Sequence, residues 1–373
     1  MVPRERRAPG ADQFPCERCG ALQTFKPGTD HIGCPYCGHT TDIEPDRGVL
    51  REYDFREALT ELAQAPPAAQ RQTTRCESCA AEFDFESHIH AGECPFCGTP
   101  IVEGTGDTRH VKPESLLPFE VDEDSALANF RKWLGKLWFA PGSLRRYAEG
   151  DARLTGVYIP YWTYDSATHS RYSGQRGTVY YVSQSYTTVV NGRRVTRTRR
   201  VQRVRWTPVA GQVSRFFDDV LVGASRSLPR KITDSIAPWD LQNLVRYDDR
   251  YLSGFRSEAY QVGLDEGFKT AIQIMDNVIR QDVARDIGGD RQRITSLQTQ
   301  HSETRFKHLL LPVWSAAFRF RGKVYRFVVN GRTGKVQGER PYSKIKIFFA
   351  ALGAAIVVSI LFVFGVKTGF INF

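Results

Sequence analysis

An α+β fold is predicted for this chain: two N-terminal four-cysteine zinc ribbons, an antiparallel-sheet-rich α+β body and one C-terminal transmembrane helix. Three observations predict it. All eight cysteines fall in two copies of one frame, Cys16-x2-Cys19-x14-Cys34-x2-Cys37 and Cys76-x2-Cys79-x14-Cys94-x2-Cys97. Hairpin signals and helical periodicities then mix through the middle of the chain without βαβ alternation. Near the end, residues 347–366 carry no charge at all.

The first ribbon spans residues 12–45 and the second 73–103. Each cysteine of the second copy follows its counterpart by 60 residues, as do Glu17/Glu77, Phe25/Phe85, Pro35/Pro95 and Gly38/Gly98, with Tyr36/Phe96 aromatic in both. Two CxxC pairs supply four thiolates, a tetrahedral set suited to Zn2+ at about 2.3 Å per bond. Two Zn2+ ions are therefore expected. Four sulfur ligands leave no open position for water or substrate, so the sites are structural. His31, His39, His88 and His90 lie close by, but four cysteines suffice. Disulfides are the alternative and need an oxidising compartment. No apolar run follows Arg4, Arg6 and Arg7 before the first frame, so no export signal is read there. Within each ribbon the first CxxC should form a tight knuckle, followed by short strands over residues 21–25 and 81–85.

Residues 46–72 link the ribbons. Asp54 can cap a helix in the phrase DFREALTELAQ, with Phe55, Leu59 and Leu62 on one face. Residues 63–72, with Pro66-Pro67, read as a flexible connection. The body, residues 108–345, is large enough for a core of its own. A helix is expected over residues 125–138, with Ala128, Trp133, Leu134, Leu137 and Trp138 at helical spacing. A second is expected where Phe268, Ile272, Met275, Ile279, Val283 and Ile287 recur, ended by Gly288-Gly289. Residues 239–252 suggest a third. Asn191-Gly192 between residues 178–190 and 193–206 is a hairpin signal. Residues 322–329 and 335–337 flank a second turn, Asn330-Gly331-Arg332-Thr333-Gly334. Pro160-x-Trp162 and Pro312-x-Trp314 hint at a further repeat in the body.

The last element is the span. Twenty uncharged residues at 1.5 Å rise reach about 30 Å, the thickness of a bilayer's hydrocarbon core. Arg332, Lys335, Arg340, Lys344 and Lys346 precede it and Lys367 alone follows. The positive-inside rule then places the bulk of the chain in the cytoplasm, as a single-pass protein of the bacterial inner membrane. Ala350-xxx-Ala354 and Ala351-xxx-Ala355 are small-residue spacings that can pack two spans together, so a homo-oligomer stays open.

Charge points to partners. The chain holds 51 Lys/Arg against 41 Asp/Glu, a net +10. Arg193, Arg194, Arg197, Arg199, Arg200, Arg203 and Arg205 crowd one strand without an acid. Three occupants suit them: membrane lipid, an acidic cytoplasmic protein, or nucleic acid, with Tyr180, Tyr181 and Tyr186 able to stack on bases. A solubilising exposed hairpin is the plainer alternative. No phosphate loop, H-E-x-x-H, G-x-S-x-G or G-x-G-x-x-G occurs, so the chain is read as a non-enzyme and cannot be a self-sufficient helicase. The pairs Asp218-Asp219 and Asp248-Asp249 leave a metal-dependent hydrolase as a minor alternative.

The phrases CPYCG/CPFCG, YDFREALTELAQ, TGVYIPYWTYD, FFDDVLV, FKHLLLPVW and NGRTGKVQGERPYSKIKI resemble those of bacterial double zinc-ribbon membrane proteins. That group is commonly labelled primosomal replication-restart helicase-like. The similarity runs from about residue 14 to residue 346. It implies zinc at Cys16, Cys19, Cys34, Cys37, Cys76, Cys79, Cys94 and Cys97. The label implies a helicase, whose motor motifs are absent here. Some similar proteins look like partners in envelope-stress assemblies. The expected function is thus a non-enzymatic adaptor at the inner membrane, docking a cytoplasmic partner. A DNA-binding protein related to replication restart is the alternative.

Overall fold

A computed structural model describes residues 14–21, 23–64, 73–75, 81–84, 91–93, 96, 100–102, 111–141, 154–190, 193–258, 260–320, 323–339 and 342–367. At the N-terminus, β1 (Thr24–Phe25), β2 (His31–Gly33) and β3 (Thr40–Asp42) form a three-stranded antiparallel sheet. β1 is shorter than the strand expected over residues 21–25. β4 (Tyr53–Asp54) leads into α1 (Phe55–Gln64). Asp54 caps that helix as expected: its Oδ1 accepts the backbone N–H groups of Arg56 and Glu57 at 2.9 Å each. Phe55 is buried against Trp162 and Tyr164, and Leu59 and Leu62 pack on the same cluster.

The cysteine-frame repeat is also a backbone repeat. β5 (Thr73–Arg75) pairs with β6 (Glu82–Asp84), and β7 (Ala91–Glu93) with β8 (Pro100–Val102). In the first copy His31, Ile32 and Gly33 face Asp42, Thr41 and Thr40. In the second, Ala91, Gly92 and Glu93 face Val102, Ile101 and Pro100, the same register 60 residues on. Cys76, Cys79, Cys94 and Cys97 lie outside the described residues, as do most of residues 63–72. The copies differ at one aromatic. Tyr36 is 83% exposed, whereas Phe96 is fully buried in a cluster with Leu228, Ile232 and Val328.

The body begins with β9 (Ser115–Leu116) and α2 (Glu123–Gly135), whose N-cap Asp122 accepts the Ser125 N–H at 2.7 Å. Next come β10 (Thr155–Val190), β11 (Arg193–Gly223), α3 (Arg230–Ser235), β12 (Val245–Arg246) and β13 (Arg256–Ser257). Last are α4 (Leu264–Ile287), β14 (Arg291–Phe320), β15 (Lys323–Asn330), β16 (Val336–Gly338) and the C-terminal helix α5 (Lys344–Lys367). The main sheet runs β11-β10-β14-β15-β16, antiparallel throughout that path. The expected helix over residues 239–252 is not formed. Two 3-10 turns, Leu241–Asn243 and Asp249–Leu252, flank β12 instead, because Val245 is buried and pairs with Leu116. α2 ends three residues before Trp138, which is 77% exposed rather than part of the helix's apolar face.

The hinted body repeat has a structural counterpart. Ile159 sits opposite Leu311 where β10 and β14 pair, so a two-fold axis there carries Pro160 and Trp162 onto Pro312 and Trp314. Each tryptophan donates its indole N–H to the carbonyl of a valine two residues ahead of a helix: Trp162 to Val262 at 2.8 Å, Trp314 to Val121 at 2.7 Å. The short strands before those valines pair parallel with the opposite long strand, Arg256 with Val157 and Ser115 with Leu309. What differs is length. α4 has 24 residues against 13 in α2, and its buried residues Gly267, Ala271, Met275, Ile279, Val283 and Ile287 form a stripe along the sheet.

That stripe places the ribbon. α4 is about 36 Å long and ends beside Gly177, whose carbonyl accepts the Asp290 N–H at 2.9 Å. Beyond this level β10 and β11 continue as a bare two-stranded ribbon. At the other end of α4, Gly267 lies so close to Tyr164 and Trp162 that a Cβ would collide with the tyrosine hydroxyl and sit 2.9 Å from the indole. Gly267→Ala should gain helix propensity of about 1 kcal/mol yet lose about 1–3 kcal/mol to overpacking. A lower thermal midpoint is expected. An unchanged or raised midpoint would show that α4 lifts freely from the sheet.

α5 is the only helix among the described residues long and apolar enough to cross a membrane, through Ile345–Phe362 at mean hydropathy 2.5. Its apolar side chains are largely exposed: Ile345, Phe348, Phe349, Ile360 and Leu361 are each at least 60% exposed. Ser359 turns its hydroxyl to the Ala355 carbonyl at 2.8 Å, which removes the one side-chain polar group from the apolar surface. The helix root is tied to the segment that follows α2. Ser343 N–H donates to Phe139 O at 2.7 Å, and Lys346 Nζ donates to Ala140 O at 2.8 Å.

Candidate metal centre and basic ribbon

Cys16, Cys19, Cys34 and Cys37 converge, with one sulfur from each within 4.8 Å of the others. Two short chain reversals place them. Gly20 N–H donates to Cys16 O at 2.8 Å and Gly38 N–H to Cys34 O at 3.1 Å. Both glycines have positive φ, 74° and 71°. Nothing lies within 4 Å of a Cβ built on either, so backbone conformation and not space selects glycine there. Cys16 and Cys34 are buried at 3% and 2% exposure, while Cys19 is exposed.

The sulfurs approach at 3.5 Å for Cys16–Cys37 and 3.4 Å for Cys19–Cys34. A disulfide needs about 2.05 Å, and all four thiols are free. A tetrahedron with 2.3 Å metal–sulfur bonds has edges of about 3.8 Å, so the cluster fits a metal ion with little adjustment. Electrostatics agree. The backbone N–H groups of Cys37 and Tyr36 help hold the Cys34 thiol down to about 6. For Cys19, the Ala21 backbone bond lowers the pKa, but Cys34 and Cys37 outweigh it and push it up to about 12. Four thiolates cannot share this space without a cation. His31 and His39 are not among the clustered groups.

The seven hairpin arginines fall on the bare ribbon. The β10–β11 register runs from Thr178 opposite Arg205 to Val190 opposite Arg193. Alternation puts Arg193, Arg197, Arg199, Arg203 and Arg205 on one face with Tyr180 and Tyr186, and Arg194 and Arg200 on the other with Tyr181. Arg199 lies over the Tyr186 ring at 5.5 Å and Arg205 over Tyr180 at 5.6 Å. None of the seven has a carboxylate partner among the described residues. Residues 166–217 hold ten arginines and no acid, which equals the chain's whole net charge of +10. Neither the seven arginines nor Asn191-Gly192 hints that the hairpin prolongs strands of 36 and 31 residues.

Of the two acidic pairs, Asp248-Asp249 is structural. Asp248 caps a 3-10 turn and pairs with Arg250 at 2.6 Å. Asp218-Asp219, by contrast, meets a third carboxylate that sequence alone does not single out, Asp165. Asp165 is 2% exposed, and burial pushes its pKa up to about 6. Its only sequence signal is an acid inside an otherwise apolar and aromatic strand.

A protein of Bacillus subtilis described as "Uncharacterized protein YdjG" is 24% identical to this chain over 242 residues, covering 64% of this chain. The match spans 66% of that relative, just under two thirds of its length. No family model matches the chain. No solved structure matches it.

Proposed function

We propose that this chain is a non-enzymatic zinc-ribbon adaptor, anchored by α5 in the bacterial inner membrane and presenting its modules to a cytoplasmic partner. The observation that carries this reading is the pairing of an all-sulfur metal cluster with a bare apolar helix in one chain. Sulfur ligands favour Zn2+ over hard cations, and four of them leave the ion no vacant position for catalysis. The second cysteine frame, flanked by strands that repeat the first copy's register, takes a second Zn2+. Lys344 and Lys346 at the root against Lys367 beyond favour a cytoplasmic body. Trp138 and Tyr342, exposed beside the root, suit the headgroup layer.

The ribbon is the docking element of this adaptor. The anchor root and the arginine tip belong to opposite ends of β10: β16 connects through β15 and β14 to the start of that strand, around Gly156. Thirty-six residues of strand extend about 120 Å. That reach favours an acidic protein away from the bilayer over lipid headgroups, and an envelope-stress component is one such class. The face of five arginines with two tyrosines favours a second reading, nucleic-acid tethering related to replication restart without a motor. Affinity capture from solubilised membranes, with and without nuclease, separates the two. A reproducible protein retained after nuclease supports the adaptor, recovery abolished by nuclease supports the tether, and no reproducible partner defeats both. Removing residues 344–373 should move the chain from the carbonate-washed membrane pellet to the supernatant. Retention in the pellet would sink the anchor.

A further inference from the structure

We propose that Asp165, Asp218 and Asp219 form a second kind of metal site, binding one hard divalent cation of the Mg2+, Mn2+ or Ca2+ class through oxygen. One carboxylate oxygen of each lies within 4.8 Å of the others. This site goes beyond the adaptor reading and does not depend on it.

The carboxylates meet where the sheet breaks its register. β10 slips against β11 between Tyr164 and Ser166, and against β14 between Asp165 and Ala167. Among the described residues, the two non-glycine positions with positive φ flank this level, Asp219 at 50° on β11 and Glu303 at 51° on β14. Bulges of this kind re-aim side chains. Here they turn Asp165 in among its neighbours, with its Oδ1 accepting the Asp219 N–H at 2.6 Å.

The observation that points to a ligand is the other oxygen. Asp165 Oδ2 is buried and has no hydrogen-bond partner, on a residue only 2% exposed. A buried carboxylate oxygen left without a partner bears its desolvation penalty uncompensated. The surrounding charge relieves it only in part, because Lys307 favours the ionised Asp165 while Glu52 and Asp219 oppose it. Lys307, 6% exposed, lies 2.7 Å from Asp219 and 3.2 Å from Glu52, and Arg305 lies 3.5 Å from Glu52. Glu52, Asp165, Asp218 and Asp219 thus face two cations, leaving two negative charges unmatched. One divalent ion matches them. Three carboxylates plus water are the ligands such an ion takes, and Asp218 is exposed, so the site opens to solvent. Thiolates are a poor match for hard cations, which separates this site from the cysteine cluster.

The test is Mn2+ titration of the full-length, zinc-loaded chain in detergent, with free Mn2+ read by electron paramagnetic resonance. One ion per chain is expected to bind below about 1 mM. Asp165→Asn keeps an oxygen to accept the Asp219 N–H, and Asp218→Asn alters an exposed side chain, so both variants should fold. Each should weaken Mn2+ binding by about tenfold or more, and Mn2+ should raise the thermal midpoint of the native chain alone. No binding at about 1 mM Mn2+ would mean that Lys307 is the site's sufficient counter-ion and would overturn the proposal. So would binding in both variants as strong as in the native chain.

Discussion

Cys34→Ser is expected to lower bound zinc by one ion per chain and to unfasten the N-terminal module from the body. Structural zinc contributes on the order of 10 kcal/mol of apparent free energy, so losing it is a large perturbation for a module with only short strands. Cys34 is the most informative of the four. It is 2% exposed, and its backbone contacts already favour the thiolate. A serine hydroxyl stays protonated at neutral pH and offers a hard oxygen in place of a soft sulfur. The effect should spread. Phe25 stacks edge-on to Tyr251 at 5.1 Å, its N–H donates to Ser253 O at 2.9 Å, and Ile32 and Ile43 belong to the same core as Phe119 and Trp314. Elemental analysis should fall by one zinc, and limited proteolysis should open new cleavage within residues 14–43. Tyr36→Ser, at a side chain 83% exposed, is the control and should change neither. Full zinc content in Cys34→Ser would refute the four-sulfur site.

Legibility in the sequence follows the range of the interactions. The first cysteine frame, the Asp54 cap and the uncharged span are local patterns, and each reappears at its place in the structure. The periodicity of α4 is local as well, since an apolar stripe every four residues needs no knowledge of its partner. The arginine hairpin was visible as a turn and a charge run. Its extent was not, because β10 buries both faces near Trp162, one face near Tyr172 and neither near Tyr181. No single alternation pattern spans such a strand. Residues 239–252 misled for a related reason. Leu244 and Val245 are buried by distant contacts with β9 and the core, not by a helical face. Asp165 is the clearest case of non-local meaning. It lies 53 residues from Asp218 in sequence and joins it only because two strands slip register at that level.

Replacing Arg193, Arg197, Arg199, Arg203 and Arg205 by threonine should abolish partner binding while leaving metal content and melting unchanged. Threonine keeps the preference for extended backbone, and these five side chains are exposed, so the fold does not depend on them. The companion change, Arg194 and Arg200 to threonine, removes charge from the opposite face and should have a smaller effect. Face dependence is the decisive feature, because a merely solubilising charge would be indifferent to side. The two partner classes separate by salt. Five phosphate contacts on duplex DNA would give a slope near −4.5, or roughly 500-fold weaker binding between 50 and 200 mM salt. An acidic protein would lose association rate over about 10–1,000-fold, with a smaller change in dissociation. Equal loss in the five-residue and two-residue variants would remove the one-faced docking surface. The ribbon would then serve only to keep a long exposed hairpin apart from other chains.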